Sequence, residues 1–319
     1  RGGSRMNHRT QPERQPDLLG RLTALRRGLK PTPCAVVHPC DVESVTGAHQ
    51  AALAGLIDPI LVGPQAKIAR ALDQAGIAVG AMPIVATEHS HAAAEKAVAM
   101  ARAGDVAALM KGSLHTDELM SSAVSANGLR TARRMSHVFV MDVPAYDRLL
   151  LISDAAINIA PDLDCKCDIV RNAIDLAHAL DVQIPRVAIL SAVETVSARI
   201  PSTIDAAALC KMADRGQITG AVLDGPLAFD NAISVEAAQQ KGIVSEVAGR
   251  ADILIVPDFE AGNMLAKQLS YFGGADSAGI VMGARCPIAL TSRADSIESR
   301  LASAALLGLV AAARNPIQA

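Results

Sequence analysis

The chain has 319 residues, a formal net charge of −2, 50% apolar residues and 19% charged ones. Such a length is about two domains at roughly 150 residues each, and the composition excludes disorder. Lys and Arg are scattered without runs, which argues against nucleic-acid or membrane-surface partners, and the lack of Trp leaves few platforms for stacking bases.

No apolar run approaches the roughly 20 residues of a spanning helix, and no signal peptide is evident, so the chain reads as cytoplasmic. Residues 1–5, ahead of Met6, read as an expression remnant and are set aside. The six cysteines fit reduced thiols. Cys165 and Cys167 have no second Cys/His pair at ligand spacing, so no metal is expected.

In chain order, apolar runs at 34–37, 60–62, 84–86, 106–110, 138–141 and 149–152 read as strands. Between them, 42–54, 64–75, 89–103 and 116–126 read as helices. The pattern restarts after Asp154 with helices at 164–180, 204–215 and 235–241 and strands at 187–190, 221–223 and 253–256. Continuous apolar strands separated by helices predict an α/β protein of two α/β/α domains with mostly parallel sheets and a cleft between them. The expected first domain is 6–153 plus the returning helix in 295–319, and the second is 154–294.

Lys111-Gly112-Ser113-Leu114-His115-Thr116 follows a strand and precedes a helix, a place where open α/β sheets bind ligands. Gly112 would let the backbone approach a ligand, and Lys111, Ser113, His115 and Thr116 offer a cation and small donors. An ordinary turn with Thr116 as helix cap explains the same residues. Arg130, Arg133 and Arg134 form a cationic cluster shortly afterwards. Thr291-Ser292-Arg293 opens the last helix, where a hydroxyl, a guanidinium fork and unsatisfied amides suit a phosphate. Asp295 and Glu298 fit a capping box. Asp224-Gly225-Pro226 and Asp230-Asn231 read as loops.

The strings KGSLHTDELM, LRTARRMSHVFVMD, DAAINIAPD, DGPLAFDNAIS, ADILIVPDFEAGN, YFGGADSAG and TSRADSIES resemble, in order, those of phosphate acetyltransferases and phosphate butyryltransferases. The resemblance implies acyl transfer between coenzyme A and inorganic phosphate in a ternary complex, on an isocitrate/isopropylmalate dehydrogenase-like fold. It also implies a homodimer with no tightly bound cofactor and no nucleic-acid or membrane partner. Ser292 and Arg293 take the catalytic positions; Lys111, Gly112, Ser113, His115, Thr116, Arg130 and Asn263 are the expected substrate contacts. Ser299 stands where acetyltransferases carry a catalytic Asp, and Ser122 where they carry an Arg, which resembles the butyryltransferase-type branch. That leaves Glu298 as either a cap or a substitute base. Two other readings are a metal- and nicotinamide-dependent hydroxyacid dehydrogenase of similar architecture and a non-catalytic acyl-CoA-binding regulator.

Overall fold

A computed structural model describes residues 17–291 and 295–314. The strands are β1 (Thr32–Val37), β2 (Ile57–Gly63), β3 (Ile84–Ala86), β4 (Ala108–Lys111), β5 (Ser136–Asp142), β6 (Leu150–Ser153), β7 (Arg186–Leu190), β8 (Val222–Leu227), β9 (Ile253–Ile255), β10 (Asp276–Met282) and β11 (Ile288–Ala289). The helices are α1 (Leu18–Leu25), α2 (Val42–Leu53), α3 (Gln65–Gln74), α4 (Ser90–Ala103), α5 (Thr116–Val124), α6 (Leu163–Ala179), α7 (Pro201–Asp214), α8 (Phe229–Ile233), α9 (Val235–Gln240), α10 (Phe259–Tyr271) and α11 (Ile297–Arg314). Several begin at an aspartate whose carboxylate takes an otherwise orphaned amide. Asp41 accepts from Ser44, Asp162 from Cys165 and Asp258 from Ala261, each within 2.9 Å. None of the described helices is long and apolar enough to cross a membrane.

In place of the two sheets expected, the strands form one sheet of eleven in the order β3-β2-β1-β4-β11-β10-β5-β6-β9-β7-β8. Five strands from β3 to β11 run parallel, and so do the four from β6 to β8. Three antiparallel junctions, β11–β10, β10–β5 and β5–β6, reverse the direction between them. The two parallel halves therefore point their carboxyl ends towards opposite edges of the sheet. β10 and β11, inside the expected second domain, are hydrogen-bonded to β5 and β4 of the first.

Alternate residues of each strand face opposite ways. Cys34, Val36, Ile253 and Ile255 join one apolar layer with α2, α3, α6, α7 and α11. On the other face the apolar residues divide into two groups, one under α4 and α5 and the other under α8, α9 and α10. Between those groups the floor is His137 and Phe139 of β5, whose rings meet edge to face, and Gly279 of β10. A fully buried Leu such as Leu61 or Leu109 contributes roughly 1.5–3 kcal/mol through burial.

Helix α11 is buried from Ala302 to Ala311 and packs on α1, α2, α6 and β10, so it bridges both halves. Small residues allow this close approach: a Cβ at Gly308 would run into the Arg26 guanidinium. Three local expectations change. Asp224, Gly225 and Pro226 lie inside β8, and a Cβ on Gly225 would fall 2.7 Å from the Ile189 carbonyl. Asp230 and Asn231 lie in helix α8. Ser296, one position past the expected Asp295, caps α11: its Oγ accepts the Ser299 amide at 3.1 Å.

Candidate active site

β4 and β11 pair in parallel, Ile288 beside Leu109 and Ala289 beside Met110, so the chain leaves both strands side by side at one carboxyl edge. A reciprocal pair of bonds fastens the two exits. The Thr291 hydroxyl donates to the Lys111 carbonyl at 2.7 Å, and Lys111 Nζ donates to the Thr291 carbonyl at 3.0 Å. Thr291 is buried. With Ser113, His115, Thr116 and Leu290 these residues line a recess of about 310 Å³. Ser292 and Arg293, which follow directly, lie outside the described residues.

The Lys111–Thr116 loop owes its shape to the neighbouring end of β1. The Gly112 and Ser113 amides donate to the Val37 and His38 carbonyls at 2.9 and 3.0 Å. A Cβ on Gly112 would stand 2.5 Å from the Val37 oxygen, so this glycine is needed to admit the end of β1. The Ser113 hydroxyl donates its single proton to the His38 carbonyl at 2.7 Å and accepts the Cys40 amide at 3.1 Å. It clamps the loop to the end of β1 while still lining the recess. His38 itself adopts the left-handed backbone region, φ 53°, which costs energy for a non-glycine residue. Burial and then Lys67 lower the affinity of its imidazole for a proton. Sequence reading passed over His38, although a His-Pro pair ending a strand was visible.

His115, rather than Thr116, occupies the N-cap of α5, with an exposed side chain. Its amide donates to Glu118 Oε2 at 2.9 Å, and the other oxygen of that carboxylate accepts the Ser90 hydroxyl at 2.6 Å. Glu118 thereby ties the start of α4 to the start of α5. The Ser90 hydroxyl, followed by the His115 amide, holds its carboxyl below the usual range. The first-turn amides of α5 begin beside the recess, a placement that suits an anion.

Arg130 and Asn263 are not brought to this edge. Arg130 precedes β5, and its carbonyl accepts from Arg285 in the turn between β10 and β11, at the opposite edge. Asn263 lies on α10, and its Nδ2 donates to the Ala155 carbonyl at 3.2 Å. Beside it the buried Asp154 carboxylate accepts the amides of Ala156, Ile157 and Asn158 within 3.1 Å and the Asn158 side chain at 2.6 Å, which pins the loop after β6. Asp154 and Asn158 were legible only as part of DAAINIAPD. Among the described residues no group of three His, Cys, Asp or Glu side chains is placed to hold a metal ion.

A family model described as "Phosphate acetyl/butaryl transferase" matches residues 78–307. A phosphate acetyltransferase of Rhizobium meliloti is 62% identical over 95% of this chain and 96% of its own. A phosphate butyryltransferase of Clostridium acetobutylicum is 45% identical over 81% and 86%. Among solved structures, a branched-chain phosphotransacylase from Enterococcus faecalis superposes with a TM-score of 0.77 at 28% identity, covering 88% of this chain and 99% of that one. The chain belongs to the phosphate acetyl/butyryl transferase family.

Proposed function

We propose that this enzyme reversibly converts acyl-CoA and inorganic phosphate to acyl phosphate and CoA, with acetyl as its principal acyl group. The identity of 62% across nearly the whole length of a phosphate acetyltransferase carries the reading. The recess supports it. In the forward direction a phosphate oxygen attacks the thioester carbon, the carbonyl oxygen takes up negative charge, and collapse breaks the C–S bond to release thiolate, which is then protonated. Negative charge grows beside a dianion, so donors must converge there. Ser292 and Arg293 follow directly on the clipped Thr291, and the α5 amides stand next to Lys111 in the same recess. The two substrates meet in one ternary complex with no covalent enzyme intermediate. A CoA thiol with pKa near 8.5 costs only about 2 kcal/mol to ionise at pH 7, so a strong base is not required.

The reading extends to a homodimeric cytoplasmic enzyme that needs no tightly bound cofactor. Its helices divide as 6–153 with 295–319 and 154–294, and the cleft is the gap between the α4–α5 and α8–α10 groups. The deciding experiment is thiol release from acetyl-, propionyl- and butyryl-CoA with and without phosphate and without added metal. Phosphate-dependent release, fastest with acetyl-CoA, is expected. No phosphate dependence across the panel would sink the transferase reading, and butyryl-CoA as the best substrate would overturn the acetyl assignment.

A further inference from the structure

The arginine cluster seen in the sequence is not absorbed by the acyl-transfer recess. Arg133 ahead of β5, Arg285 in the β10–β11 turn and Arg314 in the last turn of α11 line one shallow pocket of about 400 Å³, together with Thr131 and Asp175. The pocket lies at the amino edge of β4 and β11, across the sheet from Lys111 and Thr291.

Its walls are held by the backbone. The Arg285 amide donates to the Leu129 carbonyl at 2.8 Å, and the Thr131 hydroxyl to the Gly283 carbonyl at 2.6 Å. Gly283, at φ 84°, presses so closely on the preceding segment that a Cβ would come within 2.4 Å of the Arg134 oxygen. Arg314 Nη1 donates to the Ala284 carbonyl at 2.7 Å. The Arg314 guanidinium is thus fixed to the β10–β11 turn, which carries Arg285, and Arg133 reaches the same pocket from ahead of β5.

Among the described residues of the lining their charge is not balanced. Asp175 lines the pocket and pairs with Arg133. The next acid, Asp168, accepts the Arg134 amide at 3.0 Å and pairs with Arg171. Three arginines against one aspartate leave an excess of two positive charges in the lining, in a chain whose net charge is −2. Each guanidinium carries five N–H groups in a planar fork, most of them uncommitted among the described residues, and that fork matches phosphate oxygens.

We propose that this pocket is a second anion site, built for a small, multiply charged phosphate group about the size of pyrophosphate. Asp175 then acts as a competing internal anion that holds Arg133 when the site is empty. Free inorganic phosphate and the phosphates of CoA share the required chemistry.

Isothermal titration of the full chain with inorganic pyrophosphate tests the proposal without any turnover, so its outcome is independent of the acyl-transfer reading. Arg285→Ala and Arg314→Ala should each weaken pyrophosphate binding by tenfold or more while thiol-release kinetics stay within twofold of the parent. Asp175→Asn should tighten it several-fold, because the competing carboxylate is gone. Displacement by CoA from the parent and from Arg293→Ala alike would identify CoA as the source, and displacement by inorganic phosphate alone would identify free phosphate. Unchanged pyrophosphate affinity in both arginine variants, or loss of binding only in Arg293→Ala, would overturn the second site.

Discussion

Replacing Thr291 with Val removes one hydroxyl from the clip that joins the exits of β4 and β11. Thr291 is 3% exposed and its hydroxyl donates to Lys111 O at 2.7 Å, so Val fills the same space and removes that one hydrogen bond. Such a bond contributes about 0.5–1.5 kcal/mol. With an unfolding entropy of about 2 cal/mol/K per residue, the melting temperature should fall by roughly 1–2 °C. The larger effect should be on rate. Thr291 is the last described residue before Ser292 and Arg293, and a displacement of about 1 Å at a reacting group can cost on the order of 10²-fold. Thr291→Val should therefore lose at least about tenfold in kcat, and Thr291→Ser, which keeps the hydroxyl, should recover most of it. Thermal melts and thiol release read both quantities. A Val variant with a lowered melting temperature and parental kcat would show that the clip holds the fold without aligning the chemistry.

Ser113→Ala should leave the phosphate KM within twofold of the parent while lowering stability by about 1 kcal/mol in urea titration, because its hydroxyl serves His38 and Cys40. A large rise in that KM would make Ser113 a phosphate contact. Arg293→Lys should keep the fold but lose about 10²-fold in turnover, since a point charge cannot reproduce a bidentate fork; parental kinetics would make Arg293 a surface residue. Burial pushes the His137 imidazole down to about 4, and its Nδ1 has no hydrogen-bond partner among the described residues. The unfolded chain binds a proton there from about pH 6.5 downwards and the folded chain does not until about pH 4. Stability is thus fully present above pH 6.5 and should fall progressively as the pH drops from there towards 4. His137→Gln should flatten the difference between urea midpoints at pH 7.5 and pH 5; an unchanged difference in the variant would assign it to other groups.

The parallel strands were legible because burial on both faces leaves an uninterrupted apolar run, as in Cys34 to Val37. Their union into one sheet was not. It depends on Gly279 meeting Phe139 across an antiparallel pair, and periodicity within a short window says nothing about partners 140 positions apart. The Lys111 loop was visible as a glycine turn after a strand, but whether that glycine admits a ligand or a neighbouring strand depends on where β1 ends. Arg130 shows how nearness in sequence misleads. It follows Lys111 closely, yet the nine residues of α5 carry the chain about 13 Å along the sheet to its other edge. Asn263 escaped for a related reason: the second half of the sheet points its carboxyl ends the other way.

The start of α11 reopens the question of a base. The expected box would have used Glu298 to bond the Asp295 amide, but Ser296 is the cap and Ser299, which has no carboxylate, stands at the third helical position. Glu298 is exposed and one position short of the reciprocal bond. Its charge can still favour the helix N-terminus by about 0.3–1 kcal/mol, so Glu298→Gln should shift the melting temperature by no more than about 2 °C. The rate separates the two remaining roles. If thiol ionisation is left to solvent, as the modest cost at pH 7 allows, the Gln variant should follow the parental pH–rate profile throughout. If Glu298 takes the thiol proton, its loss should depress the rate near neutrality and spare it as pH approaches the thiol pKa, where thiolate forms unaided. The exposed side chain and the low ionisation cost favour the first outcome. A Glu298→Gln enzyme with an unchanged melting temperature and a steep, alkaline-shifted profile would establish the second.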